Sequence, residues 1–131
     1  MAVSKVQGKN KQQKINQVAM EAFFNLMEKW GVDGVDNKRK LLGYPSEATF
    51  YNWQKGDVKT VPHDTLMRIS HLMGIHKSLK MLFSANNDRT YAWIKKPNKA
   101  LGGQSAYERM LAGEITDLAY VHQYLEAMRG M

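Results

Sequence analysis

The chain contains no cysteine among its 131 residues. That excludes a disulfide framework, thiolate metal sites and cysteine nucleophiles, and it suits a reducing compartment. No apolar run approaches the roughly 18 residues needed to span a bilayer, and residues 1–14 hold no apolar signal segment. The expectation is a soluble, cytoplasmic protein with no membrane partner. Sustained strand-like alternation and internal repeats are also missing. Among the four histidines, the nearest pair, His71 and His76, is five apart with Gly74 between, which is not the i, i+4 pair of a zinc helix. Gly102-Gly103 lacks the following Gly or Lys of a phosphate loop, and no serine sits in a nucleophile elbow. These gaps point to a binding protein with no catalytic residue, no metal and no cofactor.

What is present is a 44% apolar chain with 19 Lys+Arg against 12 Asp+Glu, a net charge of +7. The length suits one domain, or one domain with a small appended module, and the charge favours a polyanionic partner. The charge is unevenly placed. Residues 1–107 hold 17 basic and 8 acidic side chains, net +9, whereas residues 108–131 hold Arg109 and Arg129 against Glu108, Glu114, Asp117 and Glu126, net −2.

The patterning is helical throughout, so the expected fold is all-α, a multi-helix bundle. Residues 1–14, with Lys5, Lys9, Lys11 and Lys14 and no acid, read as a disordered basic arm. Ile15, Val18, Ala19, Ala22, Phe23, Leu26, Met27 and Trp30 then recur at three- and four-residue steps, one face of an amphipathic helix that Gly31 ends. Leu66, Ile69, Leu72 and Met73 predict a helix stopped by Gly74, with a second short helix at 75–83. Tyr91, Trp93 and Ile94 give a short helix closed before Pro97. Gly102-Gly103 reads as a flexible joint, Ser105 as a cap for 106–111, and residues 114–129 as the last helix.

Residues 36–55 read as a helix-turn-helix: a first helix at 38–42, a break at Gly43-Tyr44-Pro45, and a second helix capped by Ser46. Phe50 and Trp53 face inward, leaving Glu47, Ala48, Thr49, Tyr51, Asn52 and Lys55 outward. A recognition helix must bury one stripe and offer small polar side chains to base edges. Asn52 suits adenine, Thr49 a base or a thymine methyl, and Tyr51 and Lys55 suit phosphates. Lys38, Arg39, Lys40 and Lys59 would add sequence-independent affinity.

The stretch Leu41-Leu42-Gly43, Ser46, Thr49, Trp53 and Gly56, then Leu66-Met67-Arg68-Ile69-Ser70, resembles the divergent Xre-type helix-turn-helix of Xre/MbcA/ParS antitoxins. Trp93-Ile94, Pro97-Asn98, Gly102-Gly103, Ser105-Ala106, Arg109 to Gly113, Asp117-Leu118, Val121, Tyr124 to Ala127 and Arg129-Gly130 resemble that family's C-terminal toxin-binding domain in order and spacing. Where the family often has an aromatic, this chain has Leu101. The resemblance implies an antitoxin of a type II toxin–antitoxin system, divided into an arm at 1–14, a DNA-binding domain at 15–84 and a toxin-binding domain at 85–131. It further implies that the chain occludes a RES-domain toxin that depletes NAD, and represses its operator DNA as a homodimer. The toxin-facing candidates it gives are Lys95, Lys96, Asn98, Leu101, Gly102, Gly103, Tyr107, Tyr124, Arg129, Gly130 and Met131. The alternative is a stand-alone helix-turn-helix repressor whose C-terminal helices dimerise or sense a ligand.

Overall fold

Met20, Phe23, Leu26, Met27 and Trp30 lie on one stripe of the first helix, α1 (Ala2–Trp30), and are buried against the rest of the chain. The computed structural model describes residues 2–83 and 87–130. Over that span the helical expectation holds. After α1 come α2 (Val35–Leu41), α3 (Glu47–Gln54), α4 (His63–Leu82), α5 (Asn87–Lys95), a 3-10 turn (Lys99–Leu101), α6 (Ala106–Met110) and α7 (Ile115–Gly130), and no strand occurs among the described residues.

Three local expectations are corrected. Residues 2–14 continue α1 instead of forming a disordered arm. They contain no proline and are rich in Lys and Gln, both good helix formers, with Gly8 the weakest point. The buried stripe of α1 passes through Asn16 and Met20, so Ile15 and Val18, expected inside, are 50% and 59% exposed. Asn16 can be buried because its amide Nδ2 donates to the carbonyl of Lys59 at 3.3 Å and its Oδ1 accepts from Gln12 at 3.0 Å.

Gly74, expected to stop a helix, does not. α4 runs through it for 20 residues. A Cβ there would overlap the imidazole of His122, so this glycine is a close-approach point where α7 crosses α4. The α4–α7 packing is the most extensive between any two elements. It joins Leu72, Ile75 and Leu79 to Leu118, Val121 and Leu125, all fully buried. Each such side chain contributes about 1.5–3 kcal/mol by leaving water. The same continuous core takes in Phe50 and Trp53 of α3, so α4 serves both ends of the chain.

Candidate functional site

The N-terminal surface is built on the α2–α3 turn. α2 starts at Val35, three residues before the expected 38–42, and ends at Leu41; the carbonyl of its C-cap, Leu42, accepts from the buried hydroxyl of Thr65 at 2.9 Å. Gly43 has φ 91° and lies against Asp64 and Arg68, where a Cβ would come within 3.0 Å of the carboxylate. Only glycine suits that combination of backbone and space. Ser46 then caps α3 as expected: its Oγ accepts from the Thr49 N–H at 3.2 Å and its hydroxyl donates to Thr49 Oγ1 at 3.0 Å.

Phe50 and Trp53 point into the core, which turns the other face of α3 outward. Ser46, Glu47, Ala48, Tyr51, Asn52 and Lys55 are exposed and Thr49 is half-buried. Thr49, Asn52 and Lys59 come together on one shallow groove of about 190 Å³, beside Asp57 and Thr60. Asp57, which the sequence did not point to, places a carboxylate beside Lys59 in this groove.

The basic residues of α2 divide. Lys38 and Lys40 are half-buried, and the Lys40 carbonyl accepts from Arg68. Arg39 is committed to the turn. Its Nε donates to the Pro45 carbonyl at 2.8 Å, its Nη1 lies 3.5 Å from Asp36 and 3.7 Å from Glu47, and its guanidinium stacks on the Tyr44 ring. With a side chain only 12% exposed, Arg39 is an architectural residue and not the free cation that sequence suggested.

The C-terminal surface begins where α5 ends. Pro97 and Ser105 form an isolated antiparallel bridge, and within it Asn98 Oδ1 accepts from Ala100 N at 2.9 Å while its carbonyl accepts from Gly103 N at 2.9 Å. Gly102 and Gly103 have φ 74° and 88°. The expected flexible joint is therefore a hydrogen-bonded turn. Leu101, expected at the toxin face, is 3% exposed and packs in the core beneath this turn. Burial of an aliphatic side chain outweighs any surface role it would have had.

Beyond the turn, Ser105 and Glu108 form a reciprocal capping box on α6. Arg109 Nε donates to Asp117 Oδ1 at 2.8 Å and its guanidinium lies 4.3 Å from the Tyr120 ring centroid, while Asp117 also accepts from the Glu114 N–H. These contacts fix the start of α7 against α6.

The remaining toxin-facing candidates among the described residues fall into four places. Lys95 and Tyr107 lie at a seam with the N-terminal half: Lys95 Nζ donates to the Gly31 carbonyl at 2.9 Å and sits over the Tyr107 ring, whose hydroxyl accepts from Asn37 at 3.4 Å. Burial raises the Tyr107 pKa, opposed by that hydrogen bond. Asn98, Gly102 and Gly103 form the turn. Tyr124 stacks on Trp93 at 6.4 Å, close to a cavity of about 240 Å³ that Trp93 lines with Phe83, Arg89 and Lys96. Arg129 and Gly130 border a cavity of about 580 Å³ at the ends of α4 and α7, where Arg129 Nη1 donates to the buried Ser78 hydroxyl at 3.2 Å. Met131 lies outside the described residues.

Sequence reasoning missed Arg68, which is 7% exposed. Its guanidinium donates to Lys40 O at 3.3 Å in the N-terminal half, to Gly113 O at 2.8 Å ahead of α7, and to Asp64 at 2.7 Å. Only its place in an otherwise apolar helical stripe hinted at burial. His71 and His122 were also missed as a pair, their Nδ1 atoms 2.9 Å apart, with His122 Nε2 3.0 Å from Glu126. The His71 pKa is lowered by burial and by His122, partly offset by Glu126.

The capped α3 and the C-terminal bundle are joined through one long helix, and similarity supplies the class of the C-terminal part. Residues 78–130 match the family described as the antitoxin Xre/MbcA/ParS C-terminal toxin-binding domain. The match begins at Ser78, in the part of α4 that packs on α7. The chain is also 41% identical over 111 residues to the uncharacterized protein y4oB of Sinorhizobium fredii (strain NBRC 101917 / NGR234), covering 85% of this chain and 84% of that protein. The chain thus belongs to one family with y4oB and carries an antitoxin-type toxin-binding domain, whose partner class is a toxin. No described helix is long and apolar enough to cross a membrane.

Proposed function

We propose that this protein is the cytoplasmic antitoxin of a type II toxin–antitoxin pair, without enzymatic activity of its own. In this reading its C-terminal surface covers the active site of a RES-domain toxin and stops NAD depletion, and its helix-turn-helix represses the shared operon. The observation that carries the proposal is the antitoxin toxin-binding domain at 78–130, which shares one core with a capped helix whose polar face is exposed.

The toxin-facing set that the geometry supports is Lys96, the Asn98-Gly102-Gly103 turn, Tyr124, Arg129 and Gly130, with Lys95 and Tyr107 supporting it from the seam. The DNA-facing set is Ser46, Glu47, Ala48, Thr49, Tyr51, Asn52, Lys55 and Lys59, with Lys38 and Lys40 behind. A homodimer is supported by the exposed Ile15 and Val18, which with Lys11, Lys14 and Ala19 border an open cavity of about 430 Å³.

The test is co-expression of the chain with a RES-domain toxin. Growth rescue that is lost on Tyr124→Ala and retained on Asn52→Ala supports the division of surfaces. Rescue that neither substitution affects, or no rescue at all, contradicts it.

A further inference from the structure

Arg39 is tied up within the turn, and the residue it holds, Tyr44, faces outward beside α3. Tyr44 is 53% exposed, and its φ of 65° puts it in the left-handed region, where a bulky residue is rare. Two contacts keep it there. Its N–H donates to the Arg39 carbonyl at 2.7 Å, and the Arg39 guanidinium carbon sits 4.4 Å from the ring centroid. Arg39 is itself fixed by the Pro45 carbonyl and flanked by Asp36 and Glu47, so the ring rests on an immobilised and neutralised cation. The Tyr44 hydroxyl has no hydrogen-bond partner among the described residues. An exposed aromatic held in a costly conformation by a committed arginine, with an open phenol donor, is built for contact with something outside the chain.

We infer that Tyr44 is a DNA-backbone contact, its hydroxyl donating to a phosphate oxygen beside the segment read by α3. The inference rests on the DNA-binding reading above. Two residues separate Tyr44 from Glu47, which opens α3 and also approaches Arg39, so the ring and the outward face of α3 share one anchor. Tyrosine hydroxyls are regular phosphate donors, and such contacts set register without reading sequence. The polar work that sequence assigns to Arg39 passes to Tyr44, while Arg39 positions it.

The experiment measures binding of the full chain to its own promoter duplex and to an unrelated duplex of equal length, across a salt series. Tyr44→Phe removes only the hydroxyl and is expected to weaken binding to both duplexes by about 3- to 10-fold, the scale of one hydrogen bond, with the preference between them unchanged. Tyr44→Gly relieves the backbone, so its melting temperature is expected to stay level or rise while affinity falls at least as far. A fall in affinity with retained stability is not what a merely structural residue gives. Wild-type affinity in both variants overturns the inference while leaving the DNA-binding reading intact. A wild-type chain without salt-dependent binding overturns both.

Discussion

Residues 35–55 take their shape from short-range devices: a glycine with positive φ, a serine cap, and an arginine folded back on the turn that follows it. Residues 87–130 lean instead on distant partners, with α7 laid along α4 and Arg129 reaching a serine 51 positions earlier. The first unit is written almost entirely in local sequence, and the second exists only when the chain has folded back on itself. Their junction is Arg68, whose guanidinium joins a carbonyl of each. The helix beneath the two surfaces is common, so damage to the shared core should reach both.

Opening the shared core should couple the two units most visibly. Leu118→Ala on α7 is expected to cost about 2–5 kcal/mol, as large-to-small core changes do. Hydrogen exchange should then show α3 losing protection along with α7. If α3 keeps its protection, the two units are energetically separate. Arg68→Met should cost somewhat less, about 2–3 kcal/mol, because it leaves two carbonyls without their donor while its partner Asp64 remains partly hydrated. Equilibrium denaturation would register that loss, and an unchanged midpoint would show that the guanidinium is dispensable.

Ser46→Ala acts on the first unit alone. Losing the cap is expected to cost about 1 kcal/mol and to weaken promoter binding, with toxin neutralisation retained. Paired binding and neutralisation assays would check it, and equal loss of both activities would count against the division.

The smallest expected effect is that of pH on the α4–α7 interface. The folded-state pKa of His71 lies below its ordinary value of 6.5 through burial and the neighbouring His122. The unfolded chain therefore binds protons more readily between the two values. Stability is complete above about pH 6.5 and declines as the pH falls from there towards the folded pKa. His71→Gln should flatten that decline in thermal melts taken between pH 5 and pH 7.5, values set by the ordinary histidine range. A decline of the same slope in the variant would locate the pH response elsewhere, with His76 the next candidate because burial, Lys80 and Lys29 lower its pKa too.

How far sequence could be read follows the same division. The Ser46 and Ser105 caps, the inward Phe50 and Trp53, and the outward polar face of α3 were legible because each depends on neighbours within a few positions. Gly74 was misread as a stop, since the reason for it is a histidine 48 residues further along. Asn16 was passed over because a buried amide looks polar until the carbonyl that satisfies it is known. Arg39 and Leu101 were taken for surface groups, one because its carbonyl and ring partners were not visible, the other because a turn rich in glycine hides a core position. Ile15 and Val18 show the remaining ambiguity: a helical stripe fixes its period and leaves its phase open by one position.

The proposed neutralisation of an NAD-depleting toxin can be measured by titrating the purified chain into a RES-domain protein while NAD is followed. Consumption should fall to background at a fixed stoichiometric ratio, and Tyr124→Ala should shift or abolish that end point. NAD consumed at an undiminished rate with the chain in excess would contradict it.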